Sequence, residues 1–165
     1  MEMSTHKFSI IYERYKNLLY RIAFTYLKNS DDVEDLLQDV FIKRLYSAPD
    51  FETEEHEKRW MIRVTVNLAK NQVKSFWNRN RANLDDLSEL PEIWQWTDTD
   101  KSVYSEVMAL PYKQRIVIYL HYYEGYTCKE IATILNCKES AVKMRLKKGR
   151  DLLRLKLSEE GFAWN

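Results

Sequence analysis

Hydrophobic residues recur every three or four positions along most of this 165-residue chain, a period that predicts helices rather than strands. In the first half, the period predicts a helix at about residues 7–27 and a second helix that follows it, with Ser30 as the N-cap. An irregular acidic segment at residues 47–57 separates these from a third predicted helix at about residues 58–77. The pattern therefore predicts an N-terminal domain of three helices.

The second half begins with a short predicted helix at residues 103–110. Pro111 suits the first turn of the next helix, which we expect to reach about Tyr123. Gly125 is then a suitable left-handed stop. A second helical domain therefore begins near residue 103.

Residues 127–150, TCKEIATILNCKESAVKMRLKKGR, have the pattern of two helices joined by a tight turn. Thr127 and Glu130 have the spacing of a capping box, which starts a helix. Residues 127–157 carry nine Lys and Arg against three Asp and Glu. The second helix has an apolar stripe at Val142, Leu146 and Leu153, and the opposite side carries Ser140, Met144 and Lys147, flanked by Lys143 and Lys148. A helix-turn-helix with a cationic second helix suits the DNA major groove. The alternative is a solvated lysine face on a core helix.

A basic stripe is also predicted on the third helix, where five polar side chains are spaced by 4, 4, 3 and 4 residues. They are Arg59, Arg63, Asn67, Lys70 and Lys74. With Phe76 and Trp77 at one end, the stripe suits a single nucleic-acid strand. Its basic side chains can bind the phosphates, and its aromatic and amide side chains can receive unstacked nucleobases. The inner face of this helix is expected at Trp60, Val64 and Leu68. A basic surface helix without a ligand is the alternative.

The net charge is only +1, but the charges are segregated into blocks. Residues 31–39 contain five acids and no base, residues 50–57 contain five more acids, and residues 58–81 contain seven bases and no acid. Such blocks indicate faces that meet different partners. On the second helix, the acidic block is either a solvated face or a protein-docking face.

Composition favours an all-α fold, because there are only three Gly and three Pro, and Leu, Lys, Glu and Arg are abundant. We predict two small helical domains at residues 1–78 and 103–165, the second a helix-turn-helix, joined by an acidic linker at residues 79–102. Neither a signal peptide nor an apolar run of about 18 residues is present, so a cytoplasmic protein is expected.

Two cysteines, Cys128 and Cys137, fit a reducing compartment. A zinc site built from them and His121 would need a fourth ligand and a better spacing. We therefore expect neither a metal nor another cofactor. The chain also offers no nucleophile–base pair and no phosphate-cradling glycine loop, so we do not expect an enzyme.

Two separated stretches of the chain resemble one family. Residues 31–46, DDVEDLLQDVFIKRLY, with residues 58–79, KRWMIRVTVNLAKNQVKSFWNR, resemble the second conserved region of bacterial RNA polymerase sigma factors of the extracytoplasmic-function (ECF) type in the sigma-70 family. Residues 110–150 resemble the fourth region of the same family. The order of the stretches and the intervening linker agree with the resemblance, which implies a factor that directs promoter-specific transcription initiation in stress responses.

The resemblance implies roles for individual residues. An acidic motif that docks on the β′ subunit of polymerase is matched by Glu34, Asp35, Gln38 and Asp39. Asn67 matches an asparagine at the pocket for a flipped base of the −10 element, and the basic stripe would hold that strand. The positions that face the −35 element are matched by Lys138, Ser140, Lys143, Met144, Lys147 and Lys148. Core polymerase (β′ and β), promoter DNA and an anti-sigma factor, often membrane-bound, are the implied partners.

The chain departs from the family pattern at several of these positions. Met144 stands where a small polar residue is common, and Lys147 and Lys148 stand where aromatic, His or Arg residues often occur. Lysine lacks the bidentate fork with which arginine binds guanine, so phosphate contact suits these two positions better than base contact. Two alternatives of other classes remain at this stage, a dimeric helix-turn-helix regulator and a nucleic-acid-processing enzyme.

Overall fold

The computed structural model describes residues 4–80 and 105–159, with the side chains of residues 4–75 and 105–156. The chain divides into two compact units, residues 1–89 and 90–165. All regular structure in the described residues is helical, which confirms the all-α class. Of the predicted linker at residues 79–102, only the first two residues are described, and they continue the third helix; the rest lies outside the described residues.

The N-terminal unit contains the three predicted helices, α1 (Thr5–Leu27), α2 (Ser30–Tyr46) and α3 (Glu54–Asn80). Ser4 caps α1, since its hydroxyl oxygen accepts a hydrogen bond from the backbone N–H of Lys7 at 3.2 Å. Each helix packs against the other two, so the core of the unit lies where their apolar faces meet.

Two helix starts differ from their predicted positions. The N-cap of α2 is Asn29 rather than Ser30, because the Asn29 side-chain oxygen accepts a hydrogen bond from the backbone N–H of Asp32 at 3.1 Å. Helix α3 starts four residues before the predicted position. The Thr53 hydroxyl accepts from the backbone N–H of His56 at 3.0 Å. The acids of the first turn then face the positive end of the helix dipole.

The buried stripe of α3 is rotated from the one predicted. Trp60, Val64 and Leu68 are only half-buried. The fully buried apolar residues of this helix among those with described side chains are Met61, Ile62, Val66, Ala69 and Val73. A shift of one residue along a helix turns its face by about 100°, so the predicted residues flank the core instead of filling it.

The described part of the C-terminal unit starts with a helical turn at residues 105–108. It continues through α4 (Tyr112–Ile118), α5 (Cys128–Leu135) and α6 (Glu139–Glu159). Helix α4 packs against α6, and so does α5. Pro111 is the N-cap of α4 and not a residue of its first turn.

Helix α4 runs directly into a π-helical turn, Tyr119–Tyr123, which the periodicity did not predict. The turn ends where predicted, and Gly125 follows with a φ of +77°, the left-handed conformation expected of a helix stop. The buried Arg115 of α4 donates hydrogen bonds from Nη1 to the carbonyl oxygens of Met108 and Leu110, at 3.0 and 3.2 Å. The arginine thereby ties the segment before α4 to the unit.

Candidate nucleic-acid interface

Helices α5 and α6 form the predicted helix-turn-helix. The capping box is complete: the Thr127 hydroxyl accepts from the Glu130 backbone N–H at 3.2 Å, and the Glu130 carboxylate accepts from the Thr127 backbone N–H at 3.0 Å. Asn136 ends α5 in the left-handed conformation, with a φ of 53°. The backbone N–H of Cys137 then donates to the Ala132 carbonyl oxygen at 3.0 Å. These local bonds fix the turn from which α6 begins.

One face of α6 is exposed and the other is buried. Val142, Leu146 and Leu153 form the buried side, as predicted. All the side chains predicted to meet the −35 element are exposed: Lys138, Ser140, Lys143, Met144, Lys147 and Lys148. Five of these residues lie on α6, and Lys138 directly precedes it. Their contact with DNA remains a prediction.

Gly149 lets α6 pack closely on α4. A Cβ atom at this position would lie 2.9 Å from Cγ1 and 3.1 Å from Cδ1 of Ile118. Real Cβ atoms essentially never show the first of these distances, so the Ile118 side chain or one of the two helices would have to shift to admit a larger residue. The glycine therefore sets the position of the cationic helix within its unit.

The thiol of Cys137 is half-buried. The Arg145 side chain reaches back from α6 and places Nη1 3.9 Å from the Cys137 sulfur. Cys128 and Cys137 are both free thiols and lie near opposite ends of α5.

The basic stripe of α3 lies along one side of the helix. Arg63, Asn67 and Lys74 are exposed, while Arg59 and Lys70 are half-buried. Arg59 also pairs with Glu55 one turn earlier, with Nε 3.1 Å from the carboxylate oxygen. The side chains of Phe76 and Trp77 lie outside the described residues. The geometry thus leaves the central amide and the cations on both sides of it accessible to a ligand.

The acidic residues of α2 form a separate surface. Glu34, Asp35, Gln38 and Asp39 are all exposed, opposite a buried face that includes Val33, Leu36, Leu37, Val40 and Phe41. Ile42 and Tyr46 continue this exposed side toward the end of the helix. A surface that combines acids with exposed apolar side chains suits a protein partner better than DNA.

A buried polar cluster that the sequence did not reveal joins the three helices of the N-terminal unit. The Glu57 carboxylate of α3 accepts hydrogen bonds from Arg44 of α2, at 2.6 Å from Nη2, and from the Tyr15 hydroxyl of α1 at 2.9 Å. The Arg44 guanidinium also lies 4.9 Å from the centre of the Phe51 ring, and that ring packs against Trp60. The cluster therefore fixes the loop before α3 and the first turns of the basic helix.

One signal for this cluster is present in the sequence. Arg44 follows Val33, Leu37 and Val40 at helical spacing, so it falls on the core face of α2. A charged residue on such a face needs a buried partner. Which of the nearby acids supplies it depends on packing that the sequence does not specify.

The environment of Tyr15 changes its acidity. Burial, followed by the hydrogen bond to the Glu57 carboxylate, raises the pKa of Tyr15 to about 12. The phenol is therefore neutral throughout the physiological range and serves as a hydrogen-bond donor in the cluster.

The described residues contain neither a metal-binding cluster nor a membrane-spanning helix. Within residues 4–80 and 105–159, no group of three or more His, Cys, Asp or Glu side chains is placed to hold a metal ion. None of the helices in these ranges has the length and apolar character needed to cross a membrane.

Family models match both units of the chain. The model for sigma-70 region 2 matches residues 11–81, and the model for sigma-70 region 4 matches residues 101–153. These ranges contain the acidic surface and the basic stripe in the first case, and the helix-turn-helix in the second.

Relatives that match about nine tenths of the chain are also sigma factors. The chain is 30% identical over 153 residues to the RNA polymerase sigma factor SigV of Bacillus subtilis, which covers 90% of each chain. It is 28% identical to the ECF RNA polymerase sigma factor SigX of the same organism, over 89% of this chain and 81% of SigX.

Solved structures share the fold. The sigma factor RpoE of Bartonella quintana, in complex with the anti-sigma factor NepR, matches with a TM-score of 0.74 and 21% identity over 92% of this chain and 96% of RpoE. CnrH, in complex with the cytosolic domain of CnrY, matches with a TM-score of 0.65 and 23% identity over 94% of this chain and 90% of CnrH.

Proposed function

This chain belongs to the extracytoplasmic-function (ECF) type of the sigma-70 family, and we propose that its two units divide the recognition of one promoter between them. As a sigma factor, it binds core RNA polymerase and directs promoter-specific transcription initiation. The proposed units are residues 1–78 and 103–165, with the linker at residues 79–102 passing toward the RNA exit path of the polymerase. The protein acts in the cytoplasm, without a cofactor, and catalyses no reaction itself.

The N-terminal unit docks on polymerase through the acidic surface of α2. Glu34, Asp35, Gln38 and Asp39 bind the β′ subunit, and the exposure of all four side chains on one helix supports this role. Complementary charge speeds and orients such docking. The β subunit is the second contact of the factor on the core enzyme.

The basic stripe of α3 holds the single-stranded −10 element. Arg59, Arg63, Lys70 and Lys74 bind phosphates of the separated strand, while the amide of Asn67 binds a base turned out of the stack. Turning out one base costs a few kcal/mol, and contacts in its pocket must offset that cost. The stripe thereby stabilises local melting.

The exposed face of α6 binds the −35 element as a duplex. Its position after a tight turn and its lysines suit a helix in the major groove. Lys138, Lys143, Lys147 and Lys148 provide the charge that phosphates require, and Ser140 and Met144 are placed among them. An anti-sigma factor is a further proposed partner, because RpoE was solved in complex with the anti-sigma factor NepR.

The observation that best supports this proposal is the match of two separate units to regions 2 and 4, in that order, with an acidic and two basic exposed surfaces. Run-off transcription with purified core polymerase tests the proposal. The wild-type chain is expected to direct initiation from a cognate promoter. Tight binding to a duplex operator without core enzyme, and no initiation with it, would overturn the proposal.

Replacing Asn67 tests base capture within that assay. Asn67→Ala is expected to reduce promoter melting, followed by permanganate reactivity of unpaired thymines, more than it reduces duplex binding. The matched control is Asn71→Ala, since Asn71 is an exposed amide one turn further along the same helix. Equal losses of melting and duplex binding in the Asn67 variant would contradict base capture.

A further inference from the structure

Met144 is unusually exposed for its residue type. The residue retains 73% of its accessible surface, and it lies at the sixth position of α6. Ser140 lies one turn before it, and Lys147 and Lys148 lie one turn after it on the same face. An apolar side chain therefore occupies the middle of a cationic surface.

Methionine cannot neutralise a phosphate, so its place in this face calls for a different contact. The residues near the start of a recognition helix reach the base edges in the major groove, while the flanking cations hold the backbone. The apolar group that base pairs present in that groove is the C5-methyl of thymine. The long thioether side chain can also adapt to that methyl without a fixed rotamer.

We infer that Met144 is a specificity-determining residue that packs against the methyl group of one thymine in the −35 element, an inference that rests on the proposed binding of that element by α6. The neighbouring lysines position the helix, and the methionine selects thymine at one base pair. Met144 is the apolar residue among the six predicted to meet the −35 element, so the selection of a methyl group depends on this one side chain.

The test uses holoenzyme assembled from the full chain and core polymerase. Promoter fragments with a randomised −35 region are selected for binding, and each enriched thymine is then replaced singly by deoxyuridine, which lacks only the methyl group. With the wild-type chain, deoxyuridine at one position is expected to weaken binding about fourfold, which corresponds to about 0.8 kcal/mol for one buried methyl-sized group. With Met144→Ala, the change at that position falls below twofold.

Leu155→Ala is the matched control, because Leu155 is a second exposed apolar residue on α6, with 64% of its surface accessible. It lies three turns further along, about 16 Å from Met144, and its replacement should leave the fourfold response intact. Equal deoxyuridine responses of the wild-type chain and Met144→Ala at every thymine would overturn the inference. So would a loss of core-polymerase affinity in Met144→Ala with an unchanged response, which would place the methionine on the polymerase.

Two outcomes distinguish the proposed function of α6 from the inferred role of Met144. A wild-type holoenzyme that enriches no −35 sequence contradicts the proposed function of α6. Enrichment of a sequence whose thymines are all indifferent to Met144 contradicts only the role of this residue.

Discussion

Glu57 is a carboxylate enclosed by side chains from the other two helices of its unit. Arg44 and Tyr15 bind its two oxygens, and Arg14 lies 3.6 Å from one of them. Removing two charges from water costs several kcal/mol per ion, and the pairing roughly repays that cost. The cluster therefore contributes more to the uniqueness of the packing than to net stability.

Breaking the pair on one side should be costly. Glu57→Leu leaves the Arg44 guanidinium buried without its carboxylate, and we expect a loss of about 3–5 kcal/mol in the free energy of unfolding. Replacing both residues by leucine should recover most of that loss, because neither charge then remains buried. Urea unfolding followed by circular dichroism measures all variants.

Glu55→Leu is the control for this comparison. Its ion pair with Arg59 is solvent-exposed, so the change should stay within about 0.5 kcal/mol. A double variant as unstable as the sum of its two single variants would show that the pair is not coupled.

Tyr15 predicts a dependence of stability on alkaline pH. Its pKa in the folded chain is about 12, above the value of about 10 for an unperturbed tyrosine. The fold therefore favours the neutral phenol, whose contribution is complete below about pH 10 and is lost as the pH rises toward 12. The stability advantage of the wild-type chain over Tyr15→Phe should shrink across that range, as measured by urea midpoints from pH 8 to 11.5.

Tyr46→Phe is the control, because it removes the hydroxyl of a tyrosine whose side chain is exposed. A constant difference in stability between the wild-type chain and Tyr15→Phe up to pH 11.5 would mean that the fold does not shift the ionisation of the Tyr15 phenol.

At the scale of the element, two glycines of the C-terminal unit act for different reasons. Gly149→Ala gains about 1 kcal/mol in helix propensity but adds a Cβ 2.9 Å from the Ile118 side chain. Overpacking costs about 1–3 kcal/mol, so we expect a net loss of stability. In an Ile118→Ala background the obstructing atoms are gone, and the same change should become stabilising. Thermal unfolding of the four chains measures the reversal.

Gly125→Ala provides the contrast. No atom lies within 4 Å of a Cβ at this position, yet its φ is +77°. The left-handed conformation costs an alanine about 1–2 kcal/mol, and that cost should be the same in both Ile118 backgrounds. If the sign for Gly149→Ala does not reverse, close packing on Ile118 is not the reason for the glycine.

Some elements specified by local interactions were predicted from the sequence, whereas elements specified by packing between helices were not. The capping box at Thr127 and the stop at Gly125 involve only neighbouring residues, so their positions were confirmed. The start of α3 was wrong because acids that read as a loop in fact form a favourable first turn. The π turn and the rotated core face of α3 depend on contacts between helices.

In the candidate interfaces, too, features set by the period of one helix were predicted, and features set by packing between helices were not. Exposure of the cationic face of α6 was predicted, since the buried stripe of the helix fixes the direction of the opposite face. The Tyr15–Arg44–Glu57 cluster was not predicted, because its members come from three helices and span 42 residues of sequence.

At the scale of the whole molecule, a net charge of +1 conceals surfaces of opposite sign. The acidic surface lies on α2, while the basic ones lie on α3 and α6. Since each kind of surface attracts a different partner, a chain that is almost neutral overall can bind both an enzyme and DNA. Charge and base specificity should therefore be separable by mutation.

On α6, salt dependence distinguishes binding through charge from base specificity. Each phosphate neutralised contributes about −0.9 to the slope of log K against log salt concentration, so Lys147→Gln with Lys148→Gln should reduce the steepness of that slope by about 2. The same double variant should weaken binding by a similar factor on every −35 sequence, because phosphates carry no sequence information. Met144→Ala should instead leave the slope unchanged and alter the sequence preference. Fluorescence anisotropy of holoenzyme on promoter fragments across a salt series measures both quantities. An unchanged slope in the double lysine variant would mean that these two lysines neutralise no phosphate in the complex, which would contradict their proposed role.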